Sequence, residues 1–153
     1  MATATERRTV TYLSLRDFLE DAERCVAAHA PTSGNWSLGQ IIEHMALILE
    51  KSLDGYDLTA PWFIRLVGPF LKRRVMRNKM KPGLKLPGYA AKVLVPGLTE
   101  PQTALEHLRR VIGRMETETQ RAPSPIFGVL TIDEWNQIHL RHGEMHMSFA
   151  RAI

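Results

Sequence analysis

Four stretches of this chain repeat apolar residues at the roughly 3.6-residue spacing of an amphipathic helix, and none alternates apolar and polar residues between hairpin turns. The pattern predicts an all-α fold. The first helix is expected from Ser14, a capping residue, to about Ala30, where Pro31 follows, with Leu15, Phe18, Ala22, Cys25 and Val26 on one face. The second opens on Ser37 and Gln40, a capping box, and ends near Asp54-Gly55; its stripe is Leu38, Ile41, Met45, Ile48 and Leu49, with Glu43 and Glu50 turned outward. The third starts at Thr99, read as its cap, with Pro101 in the first turn, and continues to about Gln120 behind Leu105, Leu108, Ile112 and Met115. The last opens with Thr131 and Glu134, another capping box, and is expected to run nearly to Ile153.

Between Leu58 and Pro96 the pattern weakens. Ala60 to Arg77 is helical in character but interrupted by Gly68-Pro69, and Lys81 to Pro96 holds three prolines and two glycines, so an irregular crossover between the second and third main helices is predicted. A four-helix bundle tolerates such a connection. One domain over residues 1–153 is expected, with 1–12 a flexible lead-in.

The single cysteine, Cys25, excludes an intramolecular disulfide and reads as a small buried hydrophobe. The N-terminus lacks the apolar core of a secretory signal, and the apolar stretch from Leu58 to Leu71 is broken and too short for a bilayer span of about 20 residues. A cytoplasmic protein without membrane insertion is the expectation. The net charge of +4 arises partly from Lys72-Arg73-Arg74 and the cations as far as Lys85. That segment could meet an anion, but no reading helix, zinc finger or aromatic-interleaved groove accompanies it, so no nucleic-acid partner is expected.

The chemistry lies in the last helix. At about 100° per residue, measured from Trp135, His139 falls near +40°, His142 near −20°, His146 near +20° and Phe149 near −40°. The opposite side carries Asp133, Gln137, Arg141, Glu144 and Ser148, so the histidines face inward. His142 and His146, at i and i+4, put two imidazoles about 6 Å apart, able to grip one ion. An HxxxH pair alone often arises by chance, and a lone core histidine is usually just hydrogen-bonded. Three on one apolar face need partners that Trp135, Ile138, Met145 and Phe149 do not supply, and a metal would satisfy them. A third ligand can come from the second helix, where His44 borders the apolar stripe, about 60° from its axis. His139, as a second-layer partner of a ligand or a general base, and Glu43, as a residue orienting an imidazole, are the catalytic candidates. His107 is expected in solvent, His29 at a helix end, and Trp36, Trp62 and Trp135 as packing anchors.

The run Asn35-Trp36-Ser37-Leu38-Gly39-Gln40-Ile41-Ile42-Glu43-His44, with Phe127-Gly128-Val129-Leu130-Thr131, Trp135 and Arg141-His142-Gly143-Glu144-Met145-His146 far downstream, resembles the DinB/YfiT-like superfamily, and more narrowly one of its subfamilies of unknown function. The resemblance covers about Leu13 to Phe149. It implies an up-down-down-up four-helix bundle with one divalent metal, zinc or nickel, held at the positions of His44, His142 and His146. Some members of that superfamily are transferases using low-molecular-weight thiols.

Three neutral imidazoles would leave the ion's +2 charge intact and a coordination position open, favouring a bound thiolate or hydroxide. The enzyme reading is therefore metal-assisted thiol transfer, or hydrolysis, on a small electrophilic molecule. Its alternative is a non-enzymatic metal-binding or stress-related interaction protein, monomeric or homodimeric.

Overall fold

The computed structural model describes residues 7–83, 85 and 87–151. The described residues form six α-helices and no strand: α1 (Leu15–Ala27), α2 (Leu38–Asp54), α3 (Trp62–Arg77), α4 (Gly88–Leu94), α5 (Pro101–Thr117) and α6 (Ile132–Met147). The all-α expectation holds. None of these helices is long and apolar enough to cross a membrane.

Three helices start where a side chain takes over an orphan backbone donor. Ser14 with Asp17, Ser37 with Gln40 and Thr131 with Glu134 each form a reciprocal capping box. At α5 the start differs from the expectation. Thr99 donates its hydroxyl to the Gly97 carbonyl, Glu100 occupies the cap position without a side-chain bond, and Pro101 supplies the first turn. Proline has no N–H, so one orphan donor is already absent there.

The helix ends fall short of the predicted ones for local reasons. α1 stops at Ala27 because His29 adopts φ +50°, and the amides of His29 and Ala30 return to the carbonyls of Val26 and Cys25. This is a Schellman closure with histidine in the left-handed position that glycine prefers. His29→Gly is accordingly expected to raise unfolding stability by about 1 kcal/mol, read as a higher denaturant midpoint at unchanged slope. α6 stops at Met147 because the chain beyond it pairs with the segment after α1: the amides of Ser33 and Arg151 donate to Phe149 and Pro31. Residues 152 and 153, within the expected last helix, lie outside the described residues.

The main core lies among α1, α2, α5 and α6, with Phe18, Ile41, Ile42, Met45, Leu49, Leu108, Ile112 and Met147 fully buried. Each such side chain contributes about 1.5–3 kcal/mol by burial. α2 and α5 share the largest interface. The chain entering α5 passes so close to Gly39 of α2 that an added Cβ would stand 1.8 Å from the Thr99 carbonyl oxygen.

The crossover is more regular than its sequence suggests. α3 runs straight through Pro69, which forfeits one hydrogen bond. Docking on α6 compensates: Val75 and Met76 pack against Leu130, Trp135 and Ile138, and Lys72 Nζ meets Glu134 at 2.6 Å. Gly68 lets α3 also lie against the 123–128 turn that precedes α6, since a Cβ there would stand 1.9 Å from the Ile126 carbonyl oxygen. Trp62, read as a packing anchor, points outward and is 75% exposed.

Of the expected flexible lead-in, residues 1–6 lie outside the described residues, and 7–12 differ from that expectation by lying against α1 and α6. Tyr12 is buried and donates its hydroxyl to Asp21, which also takes two hydrogen bonds from Arg8 at 2.9 and 2.6 Å. The Tyr12 amide donates to Glu144 at 2.9 Å. Glu144, placed on the solvent side by helical periodicity, is therefore buried.

Candidate metal centre

α2 and the C-terminal half of α6 bring His44, His142 and His146 together, with a ring nitrogen of each within 4.8 Å of the others. His44 is buried and the other two are half-buried. The ring centroids are 4.7 to 5.2 Å apart.

A backbone carbonyl sets the orientation of His44. Its Nδ1 lies 2.6 Å from the oxygen of Leu94, the last residue of α4. A carbonyl only accepts, so Nδ1 carries the proton and Nε2 keeps its lone pair. Metal-ligating histidines are usually held this way, by a hydrogen bond from the other ring nitrogen. Trp36 covers the cluster, stacked on His146 at 5.3 Å with rings 1° from parallel and edge-on to His44 at 5.0 Å.

The Nε2 atoms of His142 and His146 stand 3.0 Å apart. Two nitrogens bound to one tetrahedral ion at about 2.0–2.1 Å are about 3.3 Å from each other, so this pair has nearly the spacing of two ligands on one ion. Burial lowers the His44 pKa against the opposing Leu94 bond, and burial followed by the His44 charge pushes His146 down to about 3. His142 is held well below the ordinary imidazole value by burial and by its three histidine neighbours. All three are neutral at pH 7, the state a cation requires of its ligands. The residues fit one divalent ion.

Nearly the whole chain, residues 4–152, matches a family described as a protein of unknown function, DUF1569. The chain belongs to the DUF1569 family. Comparison with curated proteins and with solved structures returns no match.

In this DUF1569 protein the two catalytic candidates, Glu43 and His139, make their hydrogen bonds outside the triad. Glu43 accepts a hydrogen bond from His107 Nδ1 at 2.9 Å, and His107 Nε2 lies 3.4 Å from Glu50. His107, expected in solvent, is thus clamped between two α2 carboxylates. His139 is fully buried, stacked on Trp135 at 5.1 Å, and its Nε2 meets the Ser52 hydroxyl at 3.1 Å. The Ser52 proton goes to the Leu49 carbonyl, so His139 donates from Nε2, and its buried Nδ1 has no hydrogen-bond partner among the described residues. Burial, with a smaller contribution from Arg121, pushes its pKa down to about 3. It bonds none of the triad. A cavity of about 610 Å³ lies between α3 and the 123–128 turn of this DUF1569 chain, and none of the three histidines lines it.

Sequence reasoning missed the Leu94 carbonyl and the covering position of Trp36. The only available signal was Trp36 standing eight residues before His44, just ahead of the α2 cap.

Proposed function

We propose that this protein binds one divalent metal ion, zinc or nickel, through His44, His142 and His146, and acts with it on a small electrophilic molecule as a thiol S-transferase or hydrolase. The same reading takes α1, α2, α5 and α6 as an up-down-down-up bundle of the DinB/YfiT-like kind. The observation that carries it is the convergence of three neutral imidazoles, one with its tautomer already fixed for ligation by Leu94.

When bound, the ion would supply Lewis acidity to a water or a low-molecular-weight thiol at the position that three ligands leave open. The protein's own part is orientation. Leu94 holds the His44 ring, Trp36 packs over His146 and His44, and among the described residues no carboxylate joins the cluster to neutralise the ion's charge.

A second reading, in which the ion only joins α2 to α6 and nothing is turned over, is favoured by the 610 Å³ cavity beside α3 lying away from the triad. Metal analysis of protein purified without an affinity tag tests the shared part: stoichiometric zinc or nickel is expected, and metal-free protein that takes up neither ion would defeat both readings. Turnover of an electrophile panel with low-molecular-weight thiols then separates them. Rates that depend on metal loading support the enzyme, whereas equal rates in loaded and stripped protein favour the structural ion.

A further inference from the structure

Among the described residues, the outer face of α3 gathers six exposed large apolar side chains between Trp62 and Leu71. Trp62 is 75%, Leu66 63% and Phe70 83% exposed, with Phe63 and Val67 beside them. Trp62, Leu66, Phe70, Arg73 and Arg77 fall on one helical stripe, apolar for its first turns and cationic at its end. Isolated exposed apolar residues are normal, but a contiguous patch of aromatics marks a contact surface. The opposite side of the helix is fixed through Gly68 and the Lys72–Glu134 pair, so this face is held outward. The cavity between Trp62, Leu66 and the 123–128 turn continues the apolar surface inward.

Charge decides what covers this face. Residues 58–99 hold nine of the chain's 20 basic residues and none of its 16 acidic ones, leaving the remainder net negative by five. Arg73, Arg74 and Arg77 are exposed and make no ion pair among the described residues. A second copy docking through the same face would bring two cationic segments together without a carboxylate between them, a repulsive arrangement. A nucleic acid could use the cations and stack on the aromatics, but Leu66 and Val67 offer it nothing. Bulky apolar residues embedded at the headgroup level, with arginines beside them at the phosphates, match an anionic bilayer surface.

We propose that α3 docks this protein reversibly onto anionic lipid membranes. The ten residues from Trp62 to Leu71 cover about 15 Å of helix, which lies in the surface plane with its outer side chains reaching the acyl boundary. Arg73, Arg74 and Arg77 face the lipid phosphates. No helix of the described residues is long and apolar enough to span the bilayer, and the proposal is independent of metal at the triad.

The test is co-sedimentation of the full-length protein with phosphatidylcholine vesicles, with and without roughly a third phosphatidylserine. Binding is expected only to the anionic vesicles, weakening at roughly 0.5 M salt. Each cation near such a surface is worth roughly fivefold, so Arg73→Glu/Arg74→Glu/Arg77→Glu should weaken binding at least about a hundredfold. Trp62→Ser/Phe70→Ser should weaken it more than tenfold, and Phe70→Ser alone serves should the double variant melt early. All are surface changes, so thermal unfolding and metal content should stay unchanged. Absence of wild-type binding to anionic vesicles at low salt would overturn the proposal, as would equal binding by the variants. So would vesicle-independent retention on nucleic acid, or self-association, abolished by the same substitutions.

Discussion

His142→Ala and His146→Ala are each expected to abolish stoichiometric metal binding and, with it, the protein's stabilisation by added metal. Loss of a residue that merely orients a ligand typically costs 10–100-fold in affinity, so removing the ligand should cost more than about a hundredfold. A ligand present at about a hundred times its dissociation constant stabilises by about 2.7 kcal/mol, equivalent to roughly 5–10 °C in Tm for a chain of this length. Wild-type protein should therefore melt that much higher on addition of zinc or nickel, and neither variant should respond. His44→Ala should behave alike, because its Nε2 is the third converging donor. An undiminished thermal shift in all three variants would show that the ion binds elsewhere.

Asp21→Ala should cause the largest loss of stability unrelated to metal, about 3 kcal/mol. The carboxylate is buried on α1 and receives Arg8, Tyr12 and Arg24. Its removal strands a partly buried guanidinium and a buried phenol; breaking such a pair from one side costs about 3–5 kcal/mol, with the lower end apt because Arg8 keeps some contact with water. Asp21→Asn should cost less, since the amide oxygen still accepts from Tyr12. The network also sets a pH dependence. Burial raises the Asp21 pKa, but hydrogen bonds from Arg8 and Tyr12 and the Arg8 charge outweigh it and hold the group below its ordinary value. The unfolded chain takes up this proton near pH 4, before the folded protein does. The stabilisation is thus complete above about pH 4 and is lost as pH falls through the lower folded pKa. Denaturant titrations at neutral and acidic pH should show wild type converging toward Asp21→Ala in acid, with metal content at neutral pH the same in both.

What could be read in advance follows from what a helix period encodes. The pairing of His142 with His146 and the inward side of α6 depend on one helix alone, and both are visible in the spacing. Periodicity also gave the buried stripes of α2 and α5. It gives direction about one axis, however, and not the distance to the next helix. Gly39 lets the chain entering α5 pass close to α2, and Glu43, Glu50 and His107 meet on sides that looked solvent-facing. Glu144 was misplaced for a related reason: residues 7–12, with no periodic signal, lie over the far side of α6. Regular helix through Gly68-Pro69 was hidden because the local cost of proline is met by tertiary packing on α6. Leu94 was invisible as a site residue because its contribution is a main-chain oxygen, which any amino acid carries.

That oxygen gives the crossover a role beyond connecting two helices. His44 and Leu94 are separated by 50 positions, and the bond between them chooses which ring nitrogen presents a lone pair to His142 and His146. Were α4 shifted by one residue through an insertion or deletion, the core helices could pack as before while His44 exchanged tautomers and offered an N–H where an acceptor is needed. Loop length between α2 and α5 is thereby under chemical constraint: divergence in this stretch can silence the histidine cluster without altering a single histidine.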